Sequence, residues 1–264
     1  MTNSEPVLTI VTVSYNSYEF VEAMIHAIER FTSNSWCMII CDNGSESSDL
    51  NRLRKKVQLH NNISLIERRQ SGRGSMGHGE ALNILIQDIK TKYGVILDAD
   101  CIPLVNAWDE FLIKKLNKKI VVAGTPVAIN SPGSSPRSRQ FPLIFLCLFD
   151  VLAIHRLNID FRPRNISAGE DTGWELEYKC TNAGYLGYGL YGQNTRTYKS
   201  GPFRSSICDE YYADASCRTL ICSHFGRGSD PTAGKYRFLI GGRRLRHTLD
   251  KIRWLTTVRH LIFN

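Results

Sequence analysis

The sequence predicts an α/β fold: a mostly parallel sheet covered by helices on both faces. Short β-branched, apolar runs alternate along the first hundred residues with longer segments whose apolar residues recur every three or four positions. Clusters of polar residues follow three of those runs, at the carboxyl ends where ligands gather on such sheets. The bulk numbers agree. The chain has 264 residues, 42% apolar and 22% charged, enough to bury a sizeable core.

Val7–Val13 reads as a buried strand, broken by Ser14-Tyr-Asn-Ser17. From Tyr18 to Phe31, Phe20, Ala23, Met24, Ala27, Ile28 and Phe31 fall at helical spacing. Trp36–Cys41 is a second strand, ended by Asp42-Asn-Gly-Ser45, and a helix follows from Ser48 to Leu59. Ile63–Glu67 is a third strand, Gly79–Ile89 a helix, and Tyr93–Leu97 a fourth strand that ends in Asp98-Ala-Asp100. Beyond about residue 125 the pattern loosens. Residues 130–142, rich in Ser, Pro, Gly and Arg, read as a mobile surface loop. Glu175–Cys180 reads as part of a helix capped at Asn182-Ala-Gly184. The pattern divides the chain into 1–125, 126–234 and a basic tail, 235–264.

The longest apolar run, Pro142–Ile154, holds about a dozen residues and includes Asp150. A spanning helix needs ~20 residues, so the run is expected to be core. No secretory signal pattern opens the chain, and its eight cysteines contain no Cys-x-x-Cys pair, so reduced thiols in the cytoplasm are expected. Net charge is +8, of which a net +7 lies from Lys235 onward: eight Lys/Arg against Asp250. A nucleic-acid enzyme spreads positive charge along a binding face, so this distribution argues against a nucleic-acid partner. The tail itself reads as an amphipathic helix over Arg243–Phe263, with Leu245, Leu249, Ile252, Leu255, Val258 and Ile262 at offsets of three and four. Its basic face and its Trp254, Leu255 and Ile262 suggest a helix lying on an anionic membrane surface. The alternative is a helix packed on the catalytic domain.

Four constellations carry chemistry. Asp98 and Asp100, one residue apart past a buried strand, are placed to converge on one hard divalent cation, Mg²⁺ or Mn²⁺; the plainer reading is two solvated turn acids. Asp42, at the end of the second strand, is placed to hold ribose hydroxyls or a base edge, or else to form an Asx-turn. Glu170-Asp171, before Thr172-Gly-Trp174, suits a general base or a helix cap. His224 is a metal-ligand candidate or a satisfied core histidine, and Gly226-Arg-Gly-Ser229 beside it lets Arg227 meet phosphates. Gly72-Arg-Gly74 and Gly77-His-Gly79 read as a further mobile, anion-friendly stretch before a helix.

In their order, Ile10-Val-Thr-Val-Ser-Tyr-Asn16, Cys41-Asp-Asn-Gly-Ser45, Gly79-Glu-Ala-Leu-Asn83, Leu97-Asp-Ala-Asp100 and Gly169-Glu-Asp171 resemble glycosyltransferase family 2 and its nucleotide-diphospho-sugar transferase fold, over roughly residues 7–228. The resemblance implies that Ser14, Tyr15, Asn16 and Asp42 line the nucleotide pocket, with Gly79, Asn83, Asp98 and Arg227 also on the donor. It implies that Asp98, Asp100 and His224 hold Mn²⁺ or Mg²⁺ and that Asp171 deprotonates the acceptor. Single-step displacement then inverts the anomeric carbon. The Gln-x-x-Arg-Trp motif of processive synthases is not found, so transfer of one or a few sugars is expected. The implied partners are a nucleotide-diphosphate sugar, UDP being the family's commonest, and a glycan or lipid-linked acceptor of surface polysaccharide synthesis. The implied location is the inner face of the membrane. Two other classes compete. A sugar nucleotidyltransferase would open with a Gly-rich, basic loop where Ser14-Tyr-Asn16 stands. A non-catalytic peripheral membrane protein would have no need of all of Asp98, Asp100 and Asp171.

Overall fold

The computed structural model describes residues 5–69, 74–129, 131, 140–228 and 243–264. Two sheets organise the chain. The larger has seven strands in the order β3-β2-β1-β4-β7-β6-β8. These are β1 (Leu8–Ser14), β2 (Trp36–Asp42), β3 (Ile63–Glu67), β4 (Tyr93–Leu97), β6 (Ile120–Gly124), β7 (Leu146–Asp150) and β8 (Leu186–Gly189). The first four pair in parallel, as their unbroken apolar runs require once both faces are covered. β7 runs antiparallel between β4 and β6, so residues from both predicted halves build one sheet. The smaller sheet, β5 (Cys101–Pro103), β11 (Leu220–His224), β10 (Asp209–Tyr212) and β9 (Tyr191–Asn194), is antiparallel throughout.

Helices cover both faces of the large sheet. On one, α1 (Tyr18–Phe31) buries Phe20, Met24, Ala27 and Ile28 in the same core as Leu8 and Ile10 of β1. On the other, α3 (Ser75–Gln87) buries Ala81, Leu82, Leu85 and Ile86 with Val11 and Ile96. The alternation of β1 side chains between the two cores follows from the two-residue period of a strand. α2 (Ser47–Val57), α4 (Trp108–Ile113), α5 (Val151–Leu157) and α6 (Trp174–Asn182) complete the layers. Pro142–Ile154 is mostly core, with Leu152 60% exposed, and divides into the end of a loop, β7 and the start of α5.

α3 begins at Ser75, four residues earlier than the expected start at Gly79. Gly77-His-Gly79 therefore lies within its first turns and is no mobile stretch; of Gly72-Arg-Gly74, residues 72 and 73 lie outside the described residues. A Cβ at position 79 would lie 2.6 Å from the Phe161 carbonyl oxygen, so the helix-weakening glycine allows close approach of the 161–162 backbone. The loop expected at 130–142 falls largely outside the described residues, as does the tail from 235 to 242.

α7 (Arg243–Phe263) corrects the sequence reading of the tail. Trp254, Leu255, Val258 and Ile262 are buried in the domain core, so they cannot be the face that meets a membrane. Trp254 packs among Phe20, Phe203 and Phe225 in tilted pairs with ring centroids 5.7–5.8 Å away. Its Nε1–H donates to Ser223 Oγ at 2.9 Å. Lys251 pairs with Glu19 of α1 at 2.7 Å. Leu245, Leu249 and Ile252 form a second stripe, 44–64% exposed. Trp254→Ala should cost about 3–5 kcal/mol, the range for emptying a buried aromatic site, read as a fall in denaturant midpoint at unchanged m-value. A cost below about 1 kcal/mol would mean that α7 is not part of the core.

Candidate active site

The turn after β4 and the end of β11 meet because β5 pairs antiparallel with β11 in a register that sets Cys101 opposite His224. Residues 98 and 224 are far apart in sequence, yet one strand pair brings them together. One ligand atom from each of Asp98, Asp100 and His224 lies within 4.8 Å of the others. His224 Nε2 stands 3.3 Å from Asp100 Oδ1 and 3.8 Å from Asp98 Oδ2. Phe145 stacks on the imidazole at 4.0 Å between centroids, and its carbonyl accepts the Asp98 N–H at 2.8 Å. Asp100 Oδ2 accepts the Gly228 N–H at 2.8 Å, which folds the 225–228 loop over the turn. A Cβ at 228 would sit 2.8 Å from the Phe20 ring and 2.9 Å from Asp100 Oδ2.

Two carboxylates and an imidazole at this separation are a donor set suited to a hard or borderline divalent ion. The electrostatics agree. Desolvation, then the negative charges of Asp100 and Asp171, push Asp98 up to about 8, with His224 pulling the other way. Burial alone would lower His224, but Asp100 and Asp98 outweigh it and hold its pKa above the usual value. A cation would offset this crowding of negative charge. His224 Nδ1 is buried with no hydrogen-bond partner among the described residues, so the ring's interactions are concentrated on the acidic side.

His78 is a member of this cluster that the sequence reading passed over. From the first turn of α3 its Nε2 stands 3.5 Å from Asp98 Oδ1, and desolvation holds its pKa down at about 4. A neutral imidazole there offers one N–H and one lone pair. The signal was the Gly-His-Gly triplet, taken for loop.

Asp171 lies near enough that its charge acts on both Asp98 and His78. It is exposed, and its Oδ1 accepts the Ser75 hydroxyl and, at 2.8 Å, the Thr172 N–H. The N-cap of α6 is Gly173, so the capping alternative for the Asp171 side chain does not hold.

The other expected residues divide. Tyr15 is 41% exposed at the end of β1. Ser14 is fully buried with its hydroxyl 3.1 Å from Ser17 Oγ, so it lies beneath the cleft and does not line it. Asn16 adopts a left-handed φ of 48° and ties two loops together: its N–H donates to Ser45 Oγ and its Oδ1 accepts the Glu46 N–H at 2.8 Å. Asp42 forms the Asx-turn, with Oδ1 accepting from Gly44 and Ser45, while Oδ2 is buried without a partner among the described residues. Gly79 faces the 161–162 backbone. Asn83 holds that same loop, donating to Asp160 Oδ1 at 2.8 Å and accepting the Phe161 N–H at 2.9 Å. These two positions support the loop before Asp171, Gly79 by close backbone approach and Asn83 by its side-chain amide. Arg227 is exposed beside Gly228, at a left-handed φ of 62°.

The sequence profile described as "Glycosyl transferase family 2" matches residues 9–173. Two curated relatives are similar over shorter stretches. The teichoic acid poly(glycerol phosphate) polymerase of Staphylococcus epidermidis is 27% identical over 94 residues, 35% of this chain and 12% of that protein. The putative teichuronic acid biosynthesis glycosyltransferase TuaG of Bacillus subtilis is 24% identical over 100 residues, 38% of each chain. The matches thus span well under half the length of these relatives. Among solved structures, the mannosyltransferase PcManGT from Pyrobaculum calidifontis, in complex with GDP-Man and Mn²⁺, shares the fold. Its TM-score is 0.55 at 17% identity, covering 72% of this chain and 56% of that one. With the profile covering well over half of the chain, and Asp98, Asp100 and Asp171 inside it, this chain belongs to glycosyl transferase family 2.

Proposed function

We propose that the chain moves a sugar from a nucleotide-diphosphate donor, UDP being the first nucleotide to test, to a hydroxyl of a glycan or lipid-linked acceptor, with inversion and one or a few transfers per encounter. The observation that carries this is the meeting of Asp98, Asp100 and His224 in one cluster with Asp171 at its edge. Asp98, Asp100 and His224 would hold Mn²⁺ or Mg²⁺. When bound, that ion supplies Lewis-acid charge for the diphosphate leaving group. In this reading Tyr15 and Asp42 border the nucleotide, and the exposed Arg227 binds phosphate oxygens. Asp171 takes the acceptor hydroxyl's proton as its oxygen attacks the anomeric carbon and the glycosidic bond to the diphosphate breaks. The matches to teichoic and teichuronic acid proteins support surface polysaccharide synthesis as the setting. A thermal-shift screen over UDP-, GDP- and dTDP-sugars tests the donor. One nucleotide should raise Tm when Mn²⁺ is present, since a ligand at 100 times its Kd adds about 2.7 kcal/mol. No shift with any of them would overturn the donor reading.

The proposed location is the cytoplasmic face of an anionic membrane, held by the outer stripe of α7. Leu245, Leu249 and Ile252 are exposed there, with Arg246 and Arg253 exposed beside them. This arrangement suits an interfacial helix, each basic residue adding ~1 kcal/mol near anionic lipid. All eight cysteines are free thiols, as a reducing compartment would keep them. No helix among the described residues is long and apolar enough to cross a membrane. Deleting the whole tail would remove Trp254 from the core, so the test uses substitutions. Leu245→Ser, Leu249→Ser and Ile252→Ser together should weaken binding to vesicles of anionic phospholipid at least about tenfold at unchanged Tm. Unchanged binding would refute the docking role.

A further inference from the structure

We propose that Ser75 is the positioning residue for the catalytic base, a role that rests on Asp171 being that base. Ser75 is the first residue of α3, and its hydroxyl donates to Asp171 Oδ1. The segment is fastened from the other side as well. Thr172, 4% exposed, donates its hydroxyl to the Ser75 carbonyl at 3.0 Å, and the Gly173 N–H donates to the Phe161 carbonyl at 2.8 Å. Asp171 is exposed on a loop, where an unheld carboxylate samples several rotamers. Ser75 Oγ–H and Thr172 N–H both donate to Oδ1, which anchors one oxygen of the carboxylate.

The mount of Ser75 is itself tied to the nucleotide side. Asn43, next to Asp42, donates to the Gly77 carbonyl at 3.2 Å, and Arg68 donates to that carbonyl at 3.1 Å and to Asn43 Oδ1 at 2.9 Å. The first turn of α3 thus links the loop after β2 to the base, with His78 on the same turn against Asp98. Ser75 sets where the acceptor's proton goes through a rigid helix end, without touching either substrate.

The experiment is steady-state transfer with Ser75→Ala and Ser75→Thr, each checked for unchanged Tm. Ser75 is partly exposed, so loss of its hydroxyl leaves the fold intact. Ser75→Ala should lower kcat by about 10- to 100-fold, the scale on which misplacing a catalytic group acts, with donor KM changed less than about twofold. Ser75→Thr, which keeps the hydroxyl, should return kcat to within about threefold of wild type. Wild-type kcat in Ser75→Ala, or a Ser75→Thr as slow as Ser75→Ala, would overturn the positioning role. Asp171→Asn is run in parallel. If it too turns over normally, the base assignment has failed; if it alone is inactive, only the role of Ser75 has.

Discussion

Asp171→Asn should leave the protein folded and able to bind donor, yet lower transfer at saturating substrates by about 10²- to 10⁴-fold, the usual worth of a general base. The asparagine keeps the size of the side chain and an acceptor for Ser75 and the Thr172 N–H, so the loop has no reason to move. What it loses is the ability to accept a proton from the attacking hydroxyl. Asp171 is exposed at the edge of the cluster, so a bulky acceptor can reach it. The fall should appear in kcat, with donor KM nearly unchanged, because the lost interaction belongs to the transition state. Normal turnover would remove Asp171 from the chemistry. A lost melting transition would instead mark it as structural.

Asp100→Asn should act one step earlier. The amide oxygen can still accept the Gly228 N–H, so the 225–228 loop stays in place. The charge that would balance a divalent ion is gone. Loss of a group that merely supports a metal ligand costs 10- to 100-fold, so removing a ligand should weaken Mn²⁺-dependent donor binding by at least about 100-fold. Chelation of the wild type by EDTA should reproduce the defect, and added Mn²⁺ should restore the wild type but not Asp100→Asn. Equal donor affinity in wild type and variant would show that Asp100 holds no ion.

The parts of the fold written as unbroken apolar runs were legible from sequence. β1, β2 and β4 are hydrophobic on both faces because helices cover both, and that pattern has one common architecture. The direction of β7 was not legible. An apolar run shows burial but carries no sign of parallel or antiparallel pairing. β5, with three residues, is too short to show any period, yet it is the strand that carries Asp98 and Asp100 to His224. The start of α3 was hidden by Ser75, Gly77 and Gly79, residues of poor helix propensity; at Gly79 the missing side chain admits the 161–162 backbone. That error concealed His78 and Ser75 together. In α7 the sequence holds two apolar stripes on one helix. Only packing shows that Trp254, Leu255, Val258 and Ile262 face the core and that Leu245, Leu249 and Ile252 face outward.

For the candidate site, residue type made Asp98, Asp100, Asp171 and His224 candidates, since few other residues do divalent-ion and proton chemistry, and the fold brings Asp98, Asp100 and His224 into one cluster. Ser14, Gly79 and Asn83 show the limit of that reasoning. A short polar residue near a ligand loop serves the backbone as readily as the ligand, and these three are occupied by Ser17 and by the 160–162 loop. Sequence gives the residue; its partner is a fact of the fold.

Calorimetric titration of UDP and GDP into the wild type and into an Asp98→Asn/Asp100→Asn double variant, each with and without Mn²⁺, bears most directly on the cation-held diphosphate. The wild type should bind one of the two nucleotides at least about tenfold more tightly with Mn²⁺, a gain of ~1.4 kcal/mol or more, and the double variant should show no such gain. Equal affinity with and without Mn²⁺ in the wild type, or an Mn²⁺ gain that survives in the double variant, would contradict it.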